Sequence, residues 1–276
     1  MFIKGVMFVP NQFWIQDNDQ CLMAVVHNPK SNYSGMVAVL VSGFANAMCD
    51  IDYFMSKVAH HLSAAGIYVI QVDPIGHGDS YGVLSDVTIN TYQESLRSVF
   101  KYAQRELCEN IVCVGRGISA AIQCELAKEF GIHKLVGITP YNICGSVVSE
   151  IWGSVSFDKK EISEVYQGKD YKKYTDFNQQ KRCFFNALGG TILNLHGQCI
   201  NGTFINELME YSPCLGCNFQ EGLWIWCNEV MRYSTTCLDI DTVDLLMKVY
   251  QSEGLPRNPE CQDSVISHVV DYIIKE

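Results

Sequence analysis

"IVCVGRGISAAIQCELAKEFG", residues 111–131, changes its hydrophobic period in the middle. The first half is a short apolar run rich in β-branched residues, which reads as a buried strand, and ISAAIQCELAKEFG has helical spacing. Between them stand Gly115, Arg116 and Gly117. Strand, glycine turn, helix is the layout that G-x-S-x-G uses to expose a nucleophile at its middle position. Here that position holds Gly117, with Arg116 before it and Ile118 and Ser119 after it.

The same alternation extends in both directions. After a short opening hairpin, CLMAVVHNP and MVAVLVSGF read as strands, and FMSKVAHHLSAAG as a helix ending at Gly66. IYVIQVD is a buried strand, TYQESLRSVFKYAQRE a helix, and KLVGITPY and GLWIWC are further strands. Strands alternating with helices predict βαβ units around a mostly parallel sheet. The expected class is α/β: a central, mostly parallel sheet flanked by helices, with a lid insertion. The core is assigned to residues 1–144 and 222–276 and the lid to 145–221, a stretch of mixed polarity that contains EVYQGKDYKKY. Within it, GGTILNLHGQCINGTFINELMEYSP reads as a hairpin followed by a capped helix, and the final helix is placed at about Asp263 to Lys275.

With 276 residues the chain is long enough to bury a full core. A net charge of -10 argues against a nucleic-acid backbone or an anionic membrane as partner. The opening MFIKGVMFVPNQFW has no apolar segment of about 7–15 residues with a cleavage site, and no stretch approaches the ~18 apolar residues of a membrane span. A soluble, cytoplasmic protein is expected. The 13 cysteines are scattered and odd in number, so they read as reduced thiols buried as small apolar residues.

Ligands of open α/β sheets bind outside the carboxyl ends of the strands. That rule selects Gly43 to Met48, Asp73 to Ser80, Gly115 to Ser119, Tyr141 to Cys144, and Asn228 with Glu229. Across them runs an order that resembles the α/β-hydrolase superfamily, in its lid-bearing serine aminopeptidase and acyl hydrolase branch. The SGF turn, the D-x-x-G-H-G-x-S match from Asp73 to Ser80, and VGRGIS carry the resemblance. Residues 42–92 and GGTILNLHGQCINGTFINEL are similar to the hydrolase-like proteins encoded beside bacterial exosortase systems. That resemblance implies a group without serine at the elbow that often carries arginine there; Arg116 lies one place earlier.

A serine hydrolase needs a nucleophile, then an acid, then a histidine along this chain order. Gly117 has no side chain to acylate. Ser119 falls in the first helical turn, where a hydroxyl more often bonds backbone, and Cys113 lies within the strand. Glu229 is the candidate acid. The loop GLPRNPEC before the last helix has no histidine, and His268 sits inside that helix on the pattern of Val265, Val269 and Ile273. His77, in the GHG turn, reads as packing beside the pocket. The catalytic residues therefore stay unassigned, with Ser119, Glu229 and His77 as weak candidates beside the elbow position Gly117.

The helix opening at Gly117 still presents the N–H groups of Ile118 and Ser119 at the positive end of its dipole. With an N–H from the Phe44 and Ala45 turn they would bind a carbonyl or carboxylate. Gly117 is expected to leave room for a ligand atom where a serine oxygen would be. The expected ligand pocket comprises Phe44, Ala45, Arg116, Gly117, Ile118, Ser119, Tyr141, Asn142 and Glu229. Cys214-x-x-Cys217 has no second close pair among Cys199, Cys227 and His196, so no metal is expected. Neither GRG nor GHG extends to a nucleotide fingerprint, and no cofactor is expected.

Three functions stay open. One is a non-hydrolytic pocket protein for a small acyl, peptide or carrier-linked ligand, or for a partner protein of the same pathway. The second is a noncovalent enzyme, a lyase, cyclase or acyl-transfer assistant. The third is an ester or thioester hydrolase with a rearranged site. An acidic acyl carrier protein would need a local basic patch such as Lys169 to Lys173.

Overall fold

The computed structural model describes residues 11–17, 20–152, 184–190, 200, 202–212, 215, 221–227, 244–250 and 259–275. Eight strands form one sheet: β1 Asn11–Asp17, β2 Gln20–His27, β3 Val37–Val41, β4 Tyr68–Val72, β5 Ile111–Arg116, β6 Lys134–Ile138, β7 Glu221–Cys227 and β8 Asp244–Tyr250. The spatial order is β1-β2-β4-β3-β5-β6-β7-β8. The pairs β1/β2 and β2/β4 are antiparallel; all the others are parallel. The opening hairpin is thus β1 with β2 itself, so CLMAVVH is its second arm. β8 is a strand that the sequence reading did not name.

Every residue of β3 and β5 is buried, as expected of parallel strands covered on both faces. The covering helices are α1 Phe54–Ala64, α2 Ile89–Glu106, α3 Ile118–Leu126 and, at the end of the chain, α6 Pro259–Ile274. α1 packs with α6 and α2 with α3. Tyr92, Leu96, Val99, Phe100 and Ala103 make the buried stripe of α2 at helical spacing. Its start is fixed by a reciprocal cap: Thr91 N–H donates to Thr88 Oγ1 (3.1 Å) and Thr88 N–H to Thr91 Oγ1 (2.9 Å).

Between β6 and β7 the chain makes a long excursion that includes α4 Gly145–Trp152, one helical turn at 184–187, and α5 Gly202–Glu210. α5 is the helix expected within that stretch. The hairpin before it, EVYQGKDYKKY and Lys169 to Lys173 lie outside the described residues. Among the contacts that tie the excursion to the core, two involve α5. Glu207 accepts from Ile89 N–H (2.6 Å) at the start of α2, and Phe204 stacks on Phe44 at 4.6 Å.

β3 lies between β4 and β5, so the chain leaves β3 to one side and returns on the other. The carboxyl ends of β3 and β5 form the crevice where such sheets take ligands. No helix among the described residues is long and apolar enough to cross a membrane.

Candidate functional site

β5 ends at Arg116, and the chain turns at Gly117 (φ 60°, ψ -127°) directly into α3. Gly117 N–H donates to Ile138 O (3.0 Å), and Tyr141 N–H donates to Gly117 O (2.9 Å), so β6 holds the turn from behind. In front stand residues 188–190. A Cβ at Gly117 would land on the carbonyl of Leu188 and the nitrogen of Gly189. The expected room for a ligand atom at this position is therefore corrected: another stretch of backbone fills it.

Two of the three N–H groups expected to bind a ligand, those of Phe44 and Ile118, are engaged by the same stretch. Phe44 N–H donates to Leu188 O at 3.0 Å, and Ile118 N–H donates to the same oxygen at 3.2 Å. The physical reason is a matched pair of helix ends. The first N–H groups of α3 lack partners within their helix, as do the last carbonyls of the turn at 184–187. Gly190 N–H bonds back to Phe185 O (2.9 Å), which wraps the end of that turn and leaves Leu188 O facing the elbow.

Asn46 completes the crossing. Its Nδ2 donates to Gly189 O at 2.7 Å and also faces Gly43 O and Phe44 O, each at 3.2 Å. Glycine is required on both sides. A Cβ on Gly189 (φ 84°) would lie 2.7 Å from Gly43 Cα and 3.2 Å from Gly117 Cα. Ala45, at φ 61°, makes the tight turn that brings Phe44 N–H forward.

Arg116 does not face this crossing as a free cation. Its Nε donates to Asp50 Oδ2 (2.6 Å), its second nitrogen to Asp50 Oδ1, and both residues are buried. The expectation of ligand contact is corrected to a buried ion pair. Asp50 sits at φ 60°, and Asp52 and Tyr53 also have positive φ, so the loop that carries it is locally strained. Asp50 did not stand out in the sequence, and Asn46 was covered only as part of the Gly43 to Met48 stretch.

Ser119 is fully buried and donates to Ser42 O (2.5 Å), while Tyr92 OH donates to Ser119 Oγ (2.8 Å). Its hydroxyl ties α3 to β3 and α2, which is no position for an attacking group. Cys113 is buried, and burial first, with Cys124 nearby second, pushes its thiol well above the usual range.

The D-x-x-G-H-G-x-S turn closes on its own first residue. Asp73 Oδ1 accepts from Met48 N–H (2.5 Å) and Oδ2 from Asp79 N–H (3.0 Å), and Ser80 Oγ donates to Asp73 O. Burial raises the Asp73 carboxyl to about 6, against the lowering effect of those two N–H donors. His77 is held between Phe44 (5.4 Å) and Tyr92 (5.2 Å). Its Nδ1 donates to Ile75 O (2.9 Å), its Nε2 has no partner among the described residues, and burial lowers its pKa to about 4. It is a neutral imidazole with a lone pair on Nε2.

Tyr141 and Asn142 are buried beside the elbow; the Tyr141 hydroxyl has no partner among the described residues. His268 bonds Ser264 O (2.7 Å) within α6. Glu229, Cys214 and Cys217 lie outside the described residues. Among the described residues no group of three or more His, Cys, Asp or Glu could hold a metal ion.

Comparison with known proteins gives a family and a fold. The family described as acyl transferase matches residues 12–158, just over half of the chain. An acyl transferase of Vibrio harveyi is 29% identical over 111 residues, 39% of this chain and 35% of that one. One of Shewanella woodyi matches with the same identity and extent. The match thus spans about a third of these relatives' length. Est1E of Butyrivibrio proteoclasticus, solved with ferulic acid, superposes with a TM-score of 0.62 at 13% identity, covering 95% of this chain and 100% of that one. An α/β-hydrolase fold protein of Chitinophaga pinensis does so at 0.60 and 12%, covering 98% and 99%. At such identities the likeness concerns the fold, which is that of the α/β-hydrolase superfamily.

Proposed function

The chain belongs to the acyl transferase family, and within it we propose a non-hydrolytic member, one that binds an acyl, peptide or carrier-linked ligand or a partner protein and forms no acyl-enzyme. One observation carries the reading: the Leu188 carbonyl lies where a side chain at position 117 would have to be. A family that transfers acyl groups through a nucleophile needs a reactive atom at that turn and donors free for the developing oxyanion. Here the atom is absent, and the N–H groups of Phe44 and Ile118 are engaged.

The lid assignment for 145–221 and a pseudoenzyme elbow belong to the same proposal. A cytoplasmic location is proposed with it, supported by Cys21, Cys49, Cys108 and Cys113 standing as free thiols. A second reading, a noncovalent enzyme, draws on His77: a neutral imidazole whose Nε2 has no partner among the described residues is a ready proton acceptor once a substrate reaches it.

The test is intact-mass analysis and steady-state turnover with a panel of acyl esters and acyl thioesters. The wild type is expected to show no adduct and no turnover, and Gly117→Ser is expected to gain neither, because the new hydroxyl has no space. A covalent acyl adduct on the wild type would overturn the proposal. Turnover without an adduct, lost in His77→Phe, would transfer it to the second reading.

A further inference from the structure

Residues 188–190 are held at the elbow as a bound peptide would be. Two successive carbonyls are gripped: Leu188 O by the N–H groups of Phe44 and Ile118, and Gly189 O by Asn46 Nδ2 at 2.7 Å. Between them the site selects for size. A Cβ on Gly189 would sit 2.7 Å from Gly43 Cα, and one on Gly190 would sit 2.9 Å from Phe44 O. Leu188 before them is fully buried. An apolar residue followed by two glycines, in peptide linkage, is what this surface accepts. A simple acyl chain brings one carbonyl and leaves the Asn46 position for a second one unmatched.

A separate observation points to an occupant beyond these three residues. Two polar atoms flank the crossing, buried and without partners among the described residues. One is His77 Nε2, whose ring packs on Phe44; the other is the hydroxyl of Tyr141, whose ring packs on Phe184 at 6.4 Å. Native interiors seldom leave such atoms unpaired. An occupant with polar groups on either side would pair them.

We infer that the cradle of Gly43, Phe44, Asn46, Gly117 and Ile118 is a binding site for a glycine-bearing peptide of the form apolar–Gly–Gly, which residues 188–190 fill in cis. The inference rests on the non-hydrolytic reading, since the gripped carbonyl faces a residue with no side chain and is held without attack. A tethered segment competes at high effective concentration, so a peptide in trans binds the wild type only in proportion to the fraction whose own segment has withdrawn.

The experiment uses Gly189→Ala, whose Cβ expels the chain's own segment and leaves the cradle residues unchanged. The probes are acetyl-Ala-Leu-Gly-Gly-amide, its control acetyl-Ala-Leu-Ala-Gly-amide, and octanoyl-N-acetylcysteamine as an acyl thioester, each at millimolar concentration. The variant is expected to melt below the wild type. The Leu-Gly-Gly peptide alone should raise its Tm and slow amide exchange at Phe44 and Ile118 by about tenfold. If the variant does not fold, the wild type supplies the measurement. There the same peptide should speed exchange at Gly189 and Gly190 several-fold while Phe44 and Ile118 stay protected, because one carbonyl replaces another.

Equal effects of the two peptides, an equal effect of the thioester, or no effect in either protein would overturn the inference. An acyl adduct would instead overturn the reading beneath it, whatever the peptides do. Sedimentation of the variant across a concentration series identifies the natural source, given a positive peptide result: association marks a second copy's segment, and a monomer marks a separate peptide.

Discussion

Two glycine turns close the carboxyl ends of two parallel strands, and they close in opposite ways. After β4, Gly78 gives way to the Asp73 carboxylate, a group five residues back in its own turn. After β5, Gly117 gives way to the backbone of Leu188 and Gly189, some seventy residues further on. The first turn packs its glycine against a residue of its own motif. The second is a long-range crossing in which Gly43, Gly117 and Gly189 fit one another. A motif's glycine therefore says that something approaches closely, and only the fold says what.

The largest effect that would break the comparison lies behind the second turn. Arg116 belongs to the elbow, yet it is paired with Asp50, on a strained loop after β3. Asp50→Ala leaves a buried guanidinium unpaired and is expected to cost about 3–5 kcal/mol. Asp50→Ala with Arg116→Leu should recover most of that loss, since replacing both partners removes the uncompensated charge. Urea midpoints of the single and double variants measure it. If the double variant is no better than the single one, the loop is held by something other than the ion pair.

The first turn makes a prediction of its own, through pH. The Asp73 carboxyl is raised to about 6, so the folded state holds its proton more tightly than the unfolded state does. Its contribution is fully present at low pH and is lost as pH rises toward 6, by roughly 3 kcal/mol. His77 is lowered to about 4, so its contribution is present above its ordinary value and is lost as pH falls toward 4, again by roughly 3 kcal/mol. The two slopes oppose each other and nearly cancel. Relative to the wild type, Asp73→Asn should therefore lose stability on acidification, and His77→Phe should gain it. Unfolding free energies from about pH 4 to 7 check the sign; parallel profiles for both variants would remove the opposition.

Legibility in the sequence follows the same division between local and distant. β3 to β6 were readable because each is a continuous apolar run whose burial is settled by its own residues. The run of β8, Asp244–Tyr250, carries Asp244 and Lys248 and gave no such signal; its place comes from pairing with β7. That Gly117 offers no side chain was legible, and so was the backbone bond of Ser119, although its burial away from the expected pocket was not. Asp50 was not, because its partner is 66 residues away, and nothing in CDIDYF marks one aspartate over the other. Gly189 and Gly190 read as the start of a hairpin, and their fit to Gly43 and Gly117 exists only once the sheet has formed. A tally of glycines with nothing local to explain them was the one available hint.

The smallest expected difference sharpens the contrast between the two turns most directly. Gly78→Ala places a Cβ against a carboxylate, and Gly117→Ala places one against a peptide backbone; both positions have positive φ, 49° and 60°. Backbone strain of about 1–3 kcal/mol is common to both. What differs is the obstacle. A carboxylate swings on its own torsions, although it must loosen its bonds to Met48 and Asp79 to do so. Leu188 O swings only if the turn at 184–187 and the grip of Phe44, Ile118 and Asn46 shift together. Gly117→Ala should thus be the more destabilising by about 2 kcal/mol, the cost of moving packed groups to admit a methyl. It should also speed amide exchange at Phe44 and Ile118, which Gly78→Ala should leave unchanged. Equal losses with no change in those two amides would mean that the backbone at 188–190 yields as readily as a side chain, and the two turns would then differ in sequence distance alone.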